Sequence, residues 1–192
     1  MPRRSDAVNQ ALGEYRAYLE TLTCIQIDPR LRGKFSMSDI VQNTLVEAWQ
    51  DLKRLQALDA DARKRWLRRM LVNNLLDEIA RWKAQKRDVH REVPLGPSLE
   101  VAATESSCRL QSWLATEDNS SSDRQAGQEE ALRLLEALSK LEARQREALI
   151  LQRYHGWALA QIAAHLGCTT GAVAGLHARG LKELRKHLPD LG

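Results

Sequence analysis

Apolar residues recur three and four positions apart over most of this chain, and where they stop doing so the composition changes. Val8, Leu12, Tyr15, Leu19 and Leu22 define one amphipathic helix. It has to stop near Asp28-Pro29, because proline lacks an N–H and restricts the residue before it. A basic, turn-like DPRLRGK follows, after which Ser36, with Asp39 three residues on, or Ser38 can cap a second helix, SDIVQNTLVEAWQDL. The apolar stripe of this helix is Ile40, Val41, Thr44, Leu45, Ala48, Trp49 and Leu52. Its opposite face carries Asp39, Gln42, Asn43, Glu47, Gln50 and Asp51, either as plain solvated surface or as a dock for a polar partner. Beyond a polar break at Asp59 and Asp61, a longer helix, ARKRWLRRMLVNNLLDEIARWKAQKRDV, buries Trp66, Leu67, Met70, Leu71, Leu75, Ile79 and Trp82.

From Val93 to about Gly127 the periodicity lapses into Pro, Gly, Ser, Thr and acids, the composition of a flexible acidic linker. Within it RLQSWLA, with Leu110, Trp113 and Leu114, has the pattern of a helical turn that docks on a domain, and Ser120 to Ser122 form a candidate phosphorylation run. Helices resume at Glu129 with Leu132, Leu135, Leu138 and Leu141, break near Ser139, and continue through Ala148, Leu149 and Tyr154 to a glycine cap at His155-Gly156.

The last stretch, LAQIAAHLGCTTGAVAGLHARGLKELRKHL, reads as two helices and a tight turn. Leu159, Ile162, Ala163 and Leu166 stop at Gly167, which tolerates left-handed backbone angles. Thr169 can cap a second helix whose inward positions are Val173, Leu176, Leu181 and Leu184. A small Ala163, Gly167 at the corner and Val173 as anchor give the spacing of a helix-turn-helix, which is either a DNA-reading hairpin or an ordinary helical hairpin in a bundle.

Composition agrees with an all-α chain: 192 residues with a single Phe and three Tyr. Charge changes the picture more. The chain carries +4 overall, yet residues 61–91 hold ten Lys or Arg against four Asp or Glu, a net of +6. With Asn73, Asn74 and Trp82 mixed in, that segment suits phosphates, base edges and a stacked base, or else is a solvated face over core tryptophans. Cys24, Cys108 and Cys168 are odd in number and unpaired in spacing, as expected of reduced thiols in the cytoplasm. No run approaches the roughly 20 apolar residues of a membrane span, and no leader pattern opens the chain. His165, Cys168 and His177 complete no zinc set, and no phosphate loop or nucleophile elbow is present. Neither enzyme activity nor a metal or other cofactor is expected.

In this order the segments resemble the extracytoplasmic-function (ECF) group of bacterial RNA polymerase sigma factors. SDIVQNTLVEAWQDL and WLRRMLVNNLLDEIARWKAQKRDV resemble region two, and LEARQREALILQRYHGWALAQIAAHLGCTTGAVAGLHARGLKELRKHL resembles region four. The resemblance implies two small helical domains, residues 1–93 and 128–192, joined by a flexible acidic linker over 94–127. It implies core RNA polymerase as partner, through the β′ clamp helices and β flap, with promoter DNA and an anti-sigma factor as a candidate regulator of a free monomer.

It also gives the residues roles. Asp39, Gln42, Asn43 and Glu47 would form the polymerase surface. Asn73 and Asp77 would meet extruded −10 bases, with Asn74, Arg68, Arg69, Arg81, Lys83, Lys86 and Arg87 around them as a basic clamp. For −35 DNA the candidates are Thr170, Gly171, Ala174, Gly175, His177, Ala178, Arg179 and Lys182. Many relatives carry Arg, Lys or Ser on the exposed recognition positions. The comparable run here is Ala174, Gly175, Ala178 and Gly180, so Arg179 and Lys182 are the main polar contacts and recognition leans on backbone approach and DNA shape. The competing reading is a helix-turn-helix regulator that binds DNA without polymerase.

Overall fold

The computed structural model describes residues 4–89, 97–118 and 122–188, and the described residues are almost entirely helical. The chain divides into two compact units, Met1–Asn119 and Ser120–Gly192, each built around its own core.

In the first unit α1 (Arg4–Gln26) ends where the sequence places its stop, and a single tight turn at Pro29–Leu31 follows. The Asp28 carboxylate accepts the Arg30 N–H at 2.9 Å and starts that turn. Helix α2 (Met37–Gln50) is capped by Ser36, whose Oγ accepts the Asp39 N–H at 3.2 Å. Ser38, the other cap candidate, instead receives a hydrogen bond from Arg16 of α1. The helix breaks at Asp51, which accepts from the Arg54 N–H and so opens the short α3 (Leu52–Ala57). Asp59 does the same for α4 (Ala60–Val89), accepting the Ala62 N–H at 2.7 Å. Arg63 donates to the Leu55 and Leu58 carbonyls and closes the end of α3. The core is Tyr18, Leu19 and Leu22 of α1, Ile40, Val41 and Ala48 of α2, and Leu67, Leu71, Val72, Leu75, Ile79 and Trp82 of α4. Trp66 is half-buried, with the Arg54 guanidinium 5.4 Å from its ring centroid.

The segment expected to be an irregular linker is largely helix. Over Pro97–Asp118 it forms α5, which packs on α1, the Pro29–Leu31 turn and α4. Ala102, Ala103, Ser106 and Leu110 are fully buried, at positions that share one helical face. Polar contacts help seat it. Ser106 Oγ accepts the Asp28 N–H at 3.0 Å, and Arg109 Nε donates to the Gln26 carbonyl at 3.0 Å, satisfying a carbonyl left open at the end of α1. Leu110 docks as expected. The side chains of Val8, Leu12, Leu52, Trp113 and Leu114, and the Ser120 to Ser122 run, lie outside the described residues.

The second unit holds α6 (Ser122–Ser139), α7 (Ala143–Arg153), α8 (Leu159–Leu166) and α9 (Thr170–His187). Glu142 caps α7, its carboxylate accepting the Arg144 and Gln145 N–H groups. Tyr154, expected on the inward stripe, is 48% exposed because α7 ends just before it. At Gly156 the backbone turns left-handed with φ 66°, as the expected glycine cap requires. Gln161 folds back on the Ala158 N–H to open α8, and Gly167, at φ 61° and ψ 42°, ends it in the left-handed region. Thr169 then caps α9 by accepting the Ala172 N–H at 3.2 Å. Ile162, Ala163, Val173, Ala148 and Leu151 form the core under this corner, with Trp157, Leu159, Leu166, Cys168 and Leu176 packed around them.

Candidate functional site

Three outward faces carry the expected functional residues, two on the first unit and one on the second. On α2 the Asp39, Gln42, Asn43 and Glu47 side chains are all exposed, because Ile40, Val41, Thr44 and Ala48 turn the opposite face inward. The sequence reading missed Val46. It is 48% exposed in the same patch, three residues beyond Asn43 and four beyond Gln42, and its signal was an apolar residue out of phase with the buried stripe. A β-branched side chain ringed by acids and amides is a contact point suited to a partner surface.

On α4 the structure separates the candidates. Arg69, Asn73 and Asp77 are exposed and spaced by four residues, so they form one stripe, with Arg81 beside it and paired to Glu78 at 3.0 Å. Asn74, one position on, turns toward α2. Its Nδ2 donates to Thr44 Oγ1 at 3.0 Å and to Glu47 Oε2 at 3.1 Å, so it ties the two helices together. Arg68 is not in a clamp: it is only 3% exposed and donates to the Tyr18 hydroxyl at 2.7 Å. A guanidinium in that position orders the core instead of meeting phosphate. Trp82 is likewise a core residue at 6% exposure, which removes it as a stacking platform. Lys83 is half-buried and donates to Thr104 of α5 at 3.3 Å. The Lys86 and Arg87 side chains lie outside the described residues.

On the second unit α8 and α9 meet at 97°, an angle suited to a helix-turn-helix. Thr170, Gly171, Ala174, Ala178, Arg179 and Lys182 are exposed along α9, and Gly175 is partly covered. Two residues read as outward are not. His177 is buried at 9% exposure, with Nε2 3.0 Å from the Ala148 carbonyl, so it fastens α9 to α7 and cannot reach a base. Gly180 is buried too: a Cβ there would lie 2.9 Å from Leu149 Cδ1 and 3.4 Å from Gln145 Cβ. That glycine marks a close helix approach, the one role for which a missing side chain is needed in a helix interior. The face is thus narrower than the sequence suggests. Near the end of α9, Lys186 bonds Glu183 at 2.6 Å, and with the charges of Lys186, His187 and Lys182 it holds that carboxyl below its ordinary value.

Among the described residues no group of His, Cys, Asp and Glu is placed to hold a metal ion, and no single helix is long and apolar enough to cross a membrane.

Known proteins match both parts of this arrangement. The sigma-70 region 4 family matches residues 131–184, the body of the second unit. The chain is 31% identical over 164 residues to the ECF RNA polymerase sigma factor SigL of Mycobacterium tuberculosis, covering 85% of this chain and 81% of that one. It is 29% identical over 162 residues to the ECF RNA polymerase sigma factor SigG of the same organism, covering 79% of this chain and 42% of SigG. A solved structure, the sigma factor RpoE in complex with the anti-sigma factor NepR from Bartonella quintana, covers 100% of both chains at 20% identity. Its TM-score is 0.33. The SigL match, which spans most of both chains, and the region 4 match on α6 to α9 show that this chain belongs to the ECF family of RNA polymerase sigma factors, the transcription initiation factors that bind core polymerase and promoter DNA.

Proposed function

We propose that this sigma factor grips its promoter at two points, with the first unit on core polymerase and the −10 element and the second on the −35 element. In this reading Asp39, Gln42, Asn43, Val46 and Glu47 of α2 meet the β′ clamp helices. The Arg69–Asn73–Asp77 stripe of α4 receives the melted −10 strand, and Asn73 contacts an extruded base. Arg69 and Arg81 supply phosphate contacts that offset the few kcal/mol needed to unstack it. The second unit sits at the β flap and lays α9 in the −35 major groove through Thr170, Gly171, Ala174, Gly175, Ala178, Arg179 and Lys182. Arg68 and His177 act from the core, as supports for these faces. An anti-sigma factor stays a candidate regulator on family membership alone.

The observation that carries this reading is the pairing of Asn73 and Asn74. One is exposed on the proposed DNA stripe, and its neighbour is hydrogen-bonded to the α2 helix that carries the polymerase face. Polymerase docking and base capture are thereby held in one rigid register. The test is run-off transcription with core polymerase on promoter fragments selected by the wild-type holoenzyme. Asn73→Ala should lose open complexes while still binding core enzyme, and Arg179→Ala should bind the promoter more weakly. If the chain failed to assemble with core polymerase and instead bound a palindrome by itself, the two-point reading would be wrong and an independent regulator the better description.

A further inference from the structure

Of the three glycines inside α9, a close packing contact explains one and a side chain overlies another. Gly180 is forced by Leu149, and Gly171 lies in the first turn, where nothing but Thr169 Oγ1 approaches within 4 Å. Gly175 sits mid-helix, its φ is not among the positive ones, and no backbone or core atom is nearest to it. What lies over it is the guanidinium of Arg179: a Cβ at position 175 would be 3.1 Å from Nη1 and 3.8 Å from both Cζ and Nη2. Arg179 therefore lies back along the helix over the preceding turn, the direction in which helical side chains lean. Among the described residues no carboxylate or carbonyl holds that guanidinium.

We propose that Gly175 is a positioning residue for Arg179, and that the ligand so addressed is a guanine edge in the major groove of the −35 DNA. This rests on the reading above, in which α9 lies in that groove. With no side chain at 175, the arginine fork lies close against the helix at that position, one turn before its own Cα and on the side of the N-terminal turns. A helix laid in the groove meets base edges with those N-terminal turns, and arginine pairs through two hydrogen bonds with O6 and N7 of guanine. A methyl group at 175 would press on Nη1 and shift the fork by a few tenths of an ångström, because the atom it meets is the free end of a flexible chain; the helix backbone would not have to move.

This gives Gly175→Ala an unusual signature. Helix propensity favours alanine over glycine at this partly covered interior position, so thermal stability should rise while base reading falls. The experiment selects promoter fragments, randomised over the upstream element, with holoenzyme made from the full-length wild type, Gly175→Ala, Arg179→Ala and the double variant. The wild type should enrich a guanine at one or two positions. Arg179→Ala should reduce that enrichment by about tenfold, the scale of one bidentate base contact. Gly175→Ala should reduce it at the same positions with a higher Tm, and the double variant should match Arg179→Ala alone. Unchanged guanine enrichment in Gly175→Ala would overturn the inference by itself. So would a further loss on adding Gly175→Ala to Arg179→Ala, which would assign Gly175 to backbone approach. If the wild type enriched nothing upstream, the −35 reading of α9 would fall and this inference with it.

Discussion

A pair of neighbouring arginines shows how little of a side chain's role is written in its type. Arg68 and Arg69 are neighbours, yet Arg68 donates to Tyr18 inside the first unit and Arg69 stands on the exposed stripe. Arg68→Ala should lower unfolding free energy by about 1–3 kcal/mol, the usual cost of leaving a buried polar partner unmatched, together with lost packing of the stem. Arg69→Ala should leave stability within about 0.5 kcal/mol and weaken promoter binding instead. Urea unfolding of the free protein and affinity measurements on the holoenzyme separate the two. His177 makes the same point in the second unit. Its ring reaches the Ala148 carbonyl, so His177→Ala should destabilise by about 1–3 kcal/mol and leave −35 base preference unchanged, read by thermal unfolding and promoter selection.

At the scale of elements, what could be read in advance was what is local. The turn from α8 to α9 follows from Gly167 at positive φ, Thr169 as cap and Val173 as anchor, all within seven residues, and the structure places each as the spacing implies. The same reading placed Gly180 and His177 outward because it considered only the α8 contact. Helix α7 covers a second side of α9, and nothing near those two residues in the sequence announces it. Helix α5 was hidden for a related reason. Its inward positions Ala102, Ala103 and Ser106 are small or polar and make no apolar stripe. The partners that seat it, at Asp28 and Gln26, are 78 and 83 residues away in the chain. Ser106→Val should orphan the Asp28 N–H, raise hydrogen exchange across α5, and cost about 1–3 kcal/mol. Exchange in α5 no faster than in the wild type would show that the seat depends on Leu110 and the alanines alone.

For the whole molecule the decisive quantity is where the charge lies. Subtracting the +6 of residues 61–91 from the total of +4 leaves the rest of the chain at −2, so attraction to DNA is concentrated on one helix and its surroundings. Replacing Arg69 and Arg81 together by Gln should lower the slope of log affinity against log salt for holoenzyme and promoter by about two, near one per phosphate contact removed. Preference at the −35 position should not change. The Asn73 and Asn74 pair has its own consequence at this scale. About 100° of helix rotation separates a position open to solvent from one hydrogen-bonded to Thr44 and Glu47. On the two-point reading proposed above, substitutions at 73 would alter which promoters are opened without disturbing the surface that competes for core enzyme. A duplicated copy of this gene would have a route to new target genes while still drawing on the same limited pool of polymerase.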